Sequence, residues 1–220
     1  MNNTTQLTEE LKAQLIKLVN VYSITKTSYV YAEYFHNPLT TEERKIMQDP
    51  VYASHFNFIN HVLFRNLVVE MSKLFSNRSS DKFRLSKFIN GLKKEGQYYQ
   101  LRFEQTLLLA WETALAANKT TIDLIIKIRD ELYSHTDGKE EDYNELDINF
   151  TDLKKLMDLG ENIIGHFFSF FFSADFDFTV PIFERERFPI LKVLAIGEEK
   201  RKKDIMDEAI RGMNSYKQKK

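Results

Sequence analysis

Thr120-Thr121-Ile122-Asp123-Leu124-Ile125-Ile126-Lys127-Ile128-Arg129-Asp130-Glu131-Leu132-Tyr133-Ser134-His135 is the stretch on which the reading of this chain turns. Ile122, Ile125, Ile126, Arg129 and Tyr133 recur at steps of three and four, the repeat of one face of an α-helix. Thr120 and Asp123 have capping-box spacing, which predicts a helix beginning near Thr120. Arg129 continues the apolar stripe, and a guanidinium at such a position belongs at the margin of a core or in an interface, because burying it unpaired is costly. Thr136-Asp137-Gly138 ends the helix, and the acidic stretch onward to Asp147 reads as a loop.

Working outward, the same helical repeat governs the rest of the chain. Leu11, Leu15, Leu18, Tyr22 and Tyr29 predict a first long helix from Thr8 to about Phe35, with Thr8 as its N-cap. His36-Asn37-Pro38 breaks it, and Thr40 with Glu43 has the form of a capping box. Phe56, Ile59, Leu63, Leu67, Met71 and Leu74 mark a second long helix, from Val51 to Phe75. A polar turn from Asn77 to Asp81 leads to a short helix, Leu85 to Leu92, and a further helix is predicted over Tyr98 to Ala117. Downstream, Asn149 is placed to cap a helix running to about Ala174, and the Phe167 to Phe172 run reads as its core or interface end. After a connection marked by Pro181 and Pro189, the tail from Leu191 to Lys220 reads as helical.

Composition agrees with an all-α chain. Of 220 residues, 43% are hydrophobic and 29% charged, with only 7 glycines and 4 prolines, which favours a compact helical protein over disorder or a turn-rich sandwich. The expectation is an up-and-down helical bundle over residues 1–176, with a short basic helix inserted, and a helical extension over 177–220 packing on or beside it. The absence of cysteine excludes a disulfide framework, a thiol nucleophile and a thiolate zinc site. A net charge of −1 argues against a polycation that coats nucleic acid. No segment approaches the ~20 apolar residues needed to cross a bilayer, and Met1 to Gln6 does not resemble a secretory signal, so a cytoplasmic protein without membrane partners is expected. Dinucleotide, P-loop and zincin signatures are missing, as are the paired Glu-x-x-His spacings of a bundle di-metal site. No cofactor and no metal are expected.

An arginine and a histidine separated by four to six residues arise by chance about once in such a composition, so the signal of Arg129 and His135 lies in their context. The pair ends an apolar helix, Asp130 follows the arginine directly, and Tyr133-Ser134 precede the histidine beside a loop. In that context the stretch resembles the R-x(4-6)-H motif of the HEPN superfamily, and Arg129-Asp130-Glu131-Leu132-Tyr133-Ser134-His135-Thr136-Asp137 resembles the corresponding segment of its Abi-U-like abortive-infection branch. The long helix ending Lys73-Leu74-Phe75, the polar turn and the short Leu85 to Leu92 helix share the branch's layout. The resemblance covers roughly Thr8 to Ala174.

The resemblance implies a HEPN-type bundle, usually dimeric, with the motif helices of two subunits facing each other. Residues six apart on an ideal helix lie about 240° apart, so convergence of Arg129 and His135 requires either a helix that ends early or a symmetric partner. The implied activity is metal-independent endoribonuclease cleavage in phage defence or growth arrest, with Arg129 and His135 catalytic and Asp130, Tyr133 and Ser134 in support. By residue chemistry alone, Arg129 reads first as an interface or helix-end arginine paired with a carboxylate such as Asp130 or Glu131 of another subunit, and His135 as a helix C-terminal histidine favoured by the dipole and capping carbonyls. A catalytically inactive module binding RNA, a nucleotide or a protein is the alternative function.

Six cations between Arg78 and Lys94, against Asp81 alone, make Arg78, Lys82, Arg84 and Lys87 candidate RNA-backbone contacts. A solvated helix face reads the same way. RNA and a second copy of the chain are the expected partners. A small nucleotidyltransferase acting as antitoxin is a further one, with Tyr133 the acceptor of its modification.

Overall fold

The computed structural model describes residues 3–76, 78, 81–130, 148–180 and 189–217. Among these the fold is all-α, with eight helices and no strand: α1 Asn3–His36, α2 Thr41–Gln48, α3 Ala53–Phe75, α4 Leu85–Leu92, α5 Gln105–Ala117, α6 Lys119–Ile128, α7 Phe150–Phe172 and α8 Pro189–Lys217. They form two compact units, Met1–Glu33 with Val62–Phe178, and Tyr34–His61 with Thr179–Lys220. The chain of α1 and of α3 contributes to both.

The first unit is a helical bundle built on the stripes read from the sequence. Leu11, Leu15, Leu18 and Tyr22 of α1, Leu67, Met71 and Leu74 of α3, and Leu85, Ile89 and Leu92 of α4 are all buried in one apolar cluster. Leu108 and Trp111 of α5, Ile122 and Ile125 of α6, and Leu153, Leu156, Ile163, Ile164 and Phe167 of α7 complete it. Each such side chain contributes roughly 1.5–3 kcal/mol on burial. The Phe-rich run does end α7 in the core: Phe167 and Phe171 are buried, although Phe170 stays half exposed. At Gly160 α7 comes close to its neighbours, since a Cβ there would lie 3.2 Å from the Tyr22 ring and 3.4 Å from that of Phe75. Beside it the Tyr22 hydroxyl donates to Met157 O at 3.1 Å and meets Glu161 Oε2 at 2.9 Å, where Lys26 also binds. Burial and the Glu161 carboxylate push the Tyr22 phenol well above the ordinary tyrosine range, so it remains a donor.

In the second unit α2 packs against α8. Thr40 forms the expected capping box: its Oγ1 accepts from Glu43 N and the Glu43 carboxylate accepts from Thr40 N. Glu43 is buried, and its other oxygen accepts from the Tyr34 hydroxyl at 3.0 Å. Tyr52 and Arg201 converge on buried Glu198, Arg201 through two bonds of 2.7 Å, while Lys202 bridges Glu198 and Asp49. Leu191, Ala195 and Glu198 are the buried face of α8. From Arg201 to Asn214 the helix is exposed apart from half-buried Asp207, and Ile205, Met206, Ile210 and Met213 lie open with it.

Three local expectations are corrected. Thr8 is not an N-cap: α1 begins at Asn3, and the Thr8 hydroxyl donates back to Thr4 O at 2.8 Å from within the helix. Tyr98 to Ala117 is not one helix. Tyr99–Leu101 is a 3₁₀ turn, Arg102 takes a left-handed φ of 54°, and α5 starts at Gln105. Gly96 anchors that break, because a Cβ on it would come within 2.4 Å of the Asn90 and Gly91 carbonyl oxygens. Thr120 does not cap α6. The helix starts at Lys119 after Asn118, and Asp123 pairs with the Lys119 ammonium instead.

Candidate functional site

Arg129 stands at the C-cap of α6 with helical backbone angles, and its N–H donates to both Ile125 O and Ile126 O. Arg129 and Asp130 continue the helix in a wider π-type turn. The stripe of Ile122, Ile125 and Ile128 is buried beneath it, which draws the arginine stem toward the core and leaves its side chain only 15% exposed. A guanidinium in that position needs acceptors. Its Nε donates to Asp130 Oδ1 at 2.9 Å and Nη2 lies 2.8 Å from the same oxygen. Nη1 donates to Ser72 Oγ at 3.2 Å and lies 3.9 Å from Asp81 Oδ2. Ser72, fully buried on α3, donates its own hydroxyl to Val69 O at 2.7 Å, so its oxygen is turned to accept from Arg129.

The other oxygen of Asp130 pairs with Arg78 Nη2. Arg78 is held from both sides by its backbone: its N–H donates to the buried Ser76 hydroxyl at 3.0 Å, and its carbonyl accepts from Asp81 N at 3.1 Å. One carboxylate therefore joins two guanidiniums, one nearly buried and one 55% exposed. Such an array of rigid forks, fixed beforehand by short charge-assisted bonds, suits the tetrahedral oxygens of a phosphate.

The structure brings Arg78 to Asp130 and so beside Arg129, a juxtaposition that the sequence does not indicate, since there Arg78 reads only as an RNA-backbone contact. Lys82 and Lys87 are exposed and Arg84 is half-buried. Tyr133, Ser134 and His135 lie outside the described residues. The pairing of Arg129 with an Asp130 of another subunit is not needed to satisfy it, since the carboxylate of its own chain does so. Ser72 and Asp81 were missed as site residues. Their signals were a hydroxyl placed among Val68, Met71 and Phe75 on an apolar helix face, and a lone acid within a run of cations. Among the described residues no three His, Asp or Glu side chains cluster as a metal site would require, and no helix is long and apolar enough to cross a membrane.

A model of the HEPN AbiU2 family, described as AbiU2, matches residues 4–186. The chain belongs to the HEPN AbiU2 family. The match includes Arg129 to His135 as well as Arg78 and Ser72, so the site lies wholly inside the HEPN AbiU2 region. No curated protein and no solved structure matches the chain. The HEPN AbiU2 match stops within the connection before α8, leaving that helix outside it.

Proposed function

We propose that this HEPN AbiU2 protein is a metal-independent endoribonuclease of the abortive-infection type, acting as a homodimer with Arg129 and His135 at its catalytic centre. The observation that supports the reading best is the nearly buried Arg129 guanidinium, oriented by Asp130 and Ser72 at the end of α6. In the reaction the ribose 2′-hydroxyl attacks the neighbouring phosphorus as a histidine takes its proton. The 5′-oxygen leaves with a proton from the histidine of the other subunit, giving a 2′,3′-cyclic phosphate. Arg129 offers its donors to the phosphoryl oxygens as negative charge accumulates on them. Histidine suits both proton transfers because its ordinary pKa lies near neutrality. Asp130 orients the arginine, and Tyr133 and Ser134 support the histidine.

A second reading is a catalytically inactive module that binds RNA, a nucleotide or a protein. The fork that Arg129 extends into its own chain favours it, because a guanidinium already bonded to a carboxylate has a structural role available. One experiment separates the two. Wild type, Arg129→Ala and His135→Ala, each shown to be folded and dimeric by circular dichroism and sizing, are incubated with total RNA and tRNA in excess EDTA. Cleavage by wild type alone, with cyclic-phosphate ends, is the expected result. Intact RNA in all three incubations would overturn the nuclease and leave the binding module.

A further inference from the structure

We infer that Arg78 and Arg129 form a two-arginine phosphate clamp assembled on Asp130, in which Arg78 makes the outer contact with the substrate backbone and Arg129 the inner one. The inference rests on the nucleic-acid reading of the site, and it assigns different work to its two cations. Arg129 is 15% exposed and carries Asp130, Ser72 and Asp81 around it, so it is positioned but has little surface to offer an arriving chain. Arg78 is 55% exposed and reaches Asp130 with Nη2. Its backbone is anchored through Ser76 and Asp81, so its stem starts from a fixed point. Asp130 neutralises part of both guanidiniums in the absence of ligand. That arrangement stops the two like charges from repelling each other and keeps both forks aimed near one place. A phosphodiester oxygen arriving beside Arg78 replaces contacts with water by a charge-assisted pair, while the Asp130 bridge keeps the next guanidinium in reach.

This geometry separates binding from turnover. Loss of Arg78 weakens capture of the backbone and raises KM. Loss of Arg129, which acts where charge develops, lowers kcat. The carboxylate between them is a positioning residue, and Asp130→Asn, which keeps the shape but removes the charge, affects both parameters by releasing both forks.

The test uses the dimer of this chain and a fluorescein-labelled 2′-O-methyl oligoribonucleotide of mixed sequence, which lacks the attacking hydroxyl and so reports binding alone. Anisotropy titrations from low to physiological salt compare wild type, Arg78→Ala, Arg78→Lys and, as a control for general loss of charge, Lys154→Ala on α7. The clamp predicts that Arg78→Ala binds about tenfold more weakly, with a salt slope flatter by about 0.7, the share of one single-strand phosphate contact. Arg78→Lys recovers the slope but not the whole affinity, because an ammonium lacks the fork, and Lys154→Ala behaves as wild type. Equal affinity and slope for wild type and Arg78→Ala would overturn the clamp, as would the absence of any binding by wild type. Binding that follows this pattern in a protein that leaves natural RNA intact would sustain the clamp while removing the nuclease.

Discussion

Ser72 shows how much of a site's precision can reside in a residue with no chemistry of its own. Its hydroxyl donates to Val69 O and accepts from Arg129, so it fixes one arm of the guanidinium while Asp130 fixes the other. Ser72→Ala removes the first arm only. For the proposed ribonuclease, the expected result is a fall in kcat of about tenfold, the worth of one hydrogen bond to a charged group, with KM within twofold of wild type, measured on a labelled RNA. An equal change in both parameters would mean that Ser72 supports the fold and not the alignment. The place of Arg129 and Asp130 at the end of α6 was legible in the sequence because they are adjacent and end an apolar stripe. Ser72 and Asp81 lie far away along the chain, and nothing local tells a buried serine that bonds a distant arginine from one that bonds its own helix.

At the scale of the element, caps were legible where local chemistry decides and obscure where a neighbour competes. Thr40 follows Pro38, which prevents the preceding helix from running on, and Asn149 caps α7 by accepting from Asp152 N at 2.9 Å. Thr8 has no breaker before it, so α1 continues through it to Asn3. Beside the contact of α2 with α8 lies a charged group whose titration is readable, Glu198. Arg201, with Tyr52 and Lys202, holds the Glu198 carboxyl down at about 2, well below its ordinary value of 4.5. A carboxylate depressed in this way stabilises the folded form fully above the unfolded value, and the contribution is lost as pH falls through the folded one. Protection of α8 amides from hydrogen exchange is therefore expected to be constant above about pH 4.5 and to decline toward pH 2. Glu198→Gln should lower protection at neutral pH and flatten that decline. A wild-type profile with the same slope as the variant would assign the acid sensitivity to other groups.

For the whole molecule, the bundle could be read from periodicity because each stripe of apolar residues demands a covering surface, and the core of the first unit meets that demand with the residues expected. The grouping of residues 34–61 with 179–220 was not readable, since it joins stretches more than a hundred positions apart. The proposed shared site has its own test at this scale. Each cleavage in the proposed mechanism uses the histidines of both subunits, so a dimer re-formed from one wild-type and one His135→Ala protomer lacks one of the two and should be no more active than the His135→Ala dimer. A mixed dimer that keeps about half of the wild-type activity, with its composition shown by mass, would place both proton transfers in one protomer. The 29-residue α8 is about 43 Å long and the 8-residue α2 beside it only about 12 Å. From Lys203 to Asn214 the residues are exposed apart from half-buried Asp207, so this stretch draws chiefly on intrinsic propensity, which for a segment of that length is marginal. Heating should therefore erode ellipticity gradually at that end, as fraying, before the bundle melts in a single cooperative step.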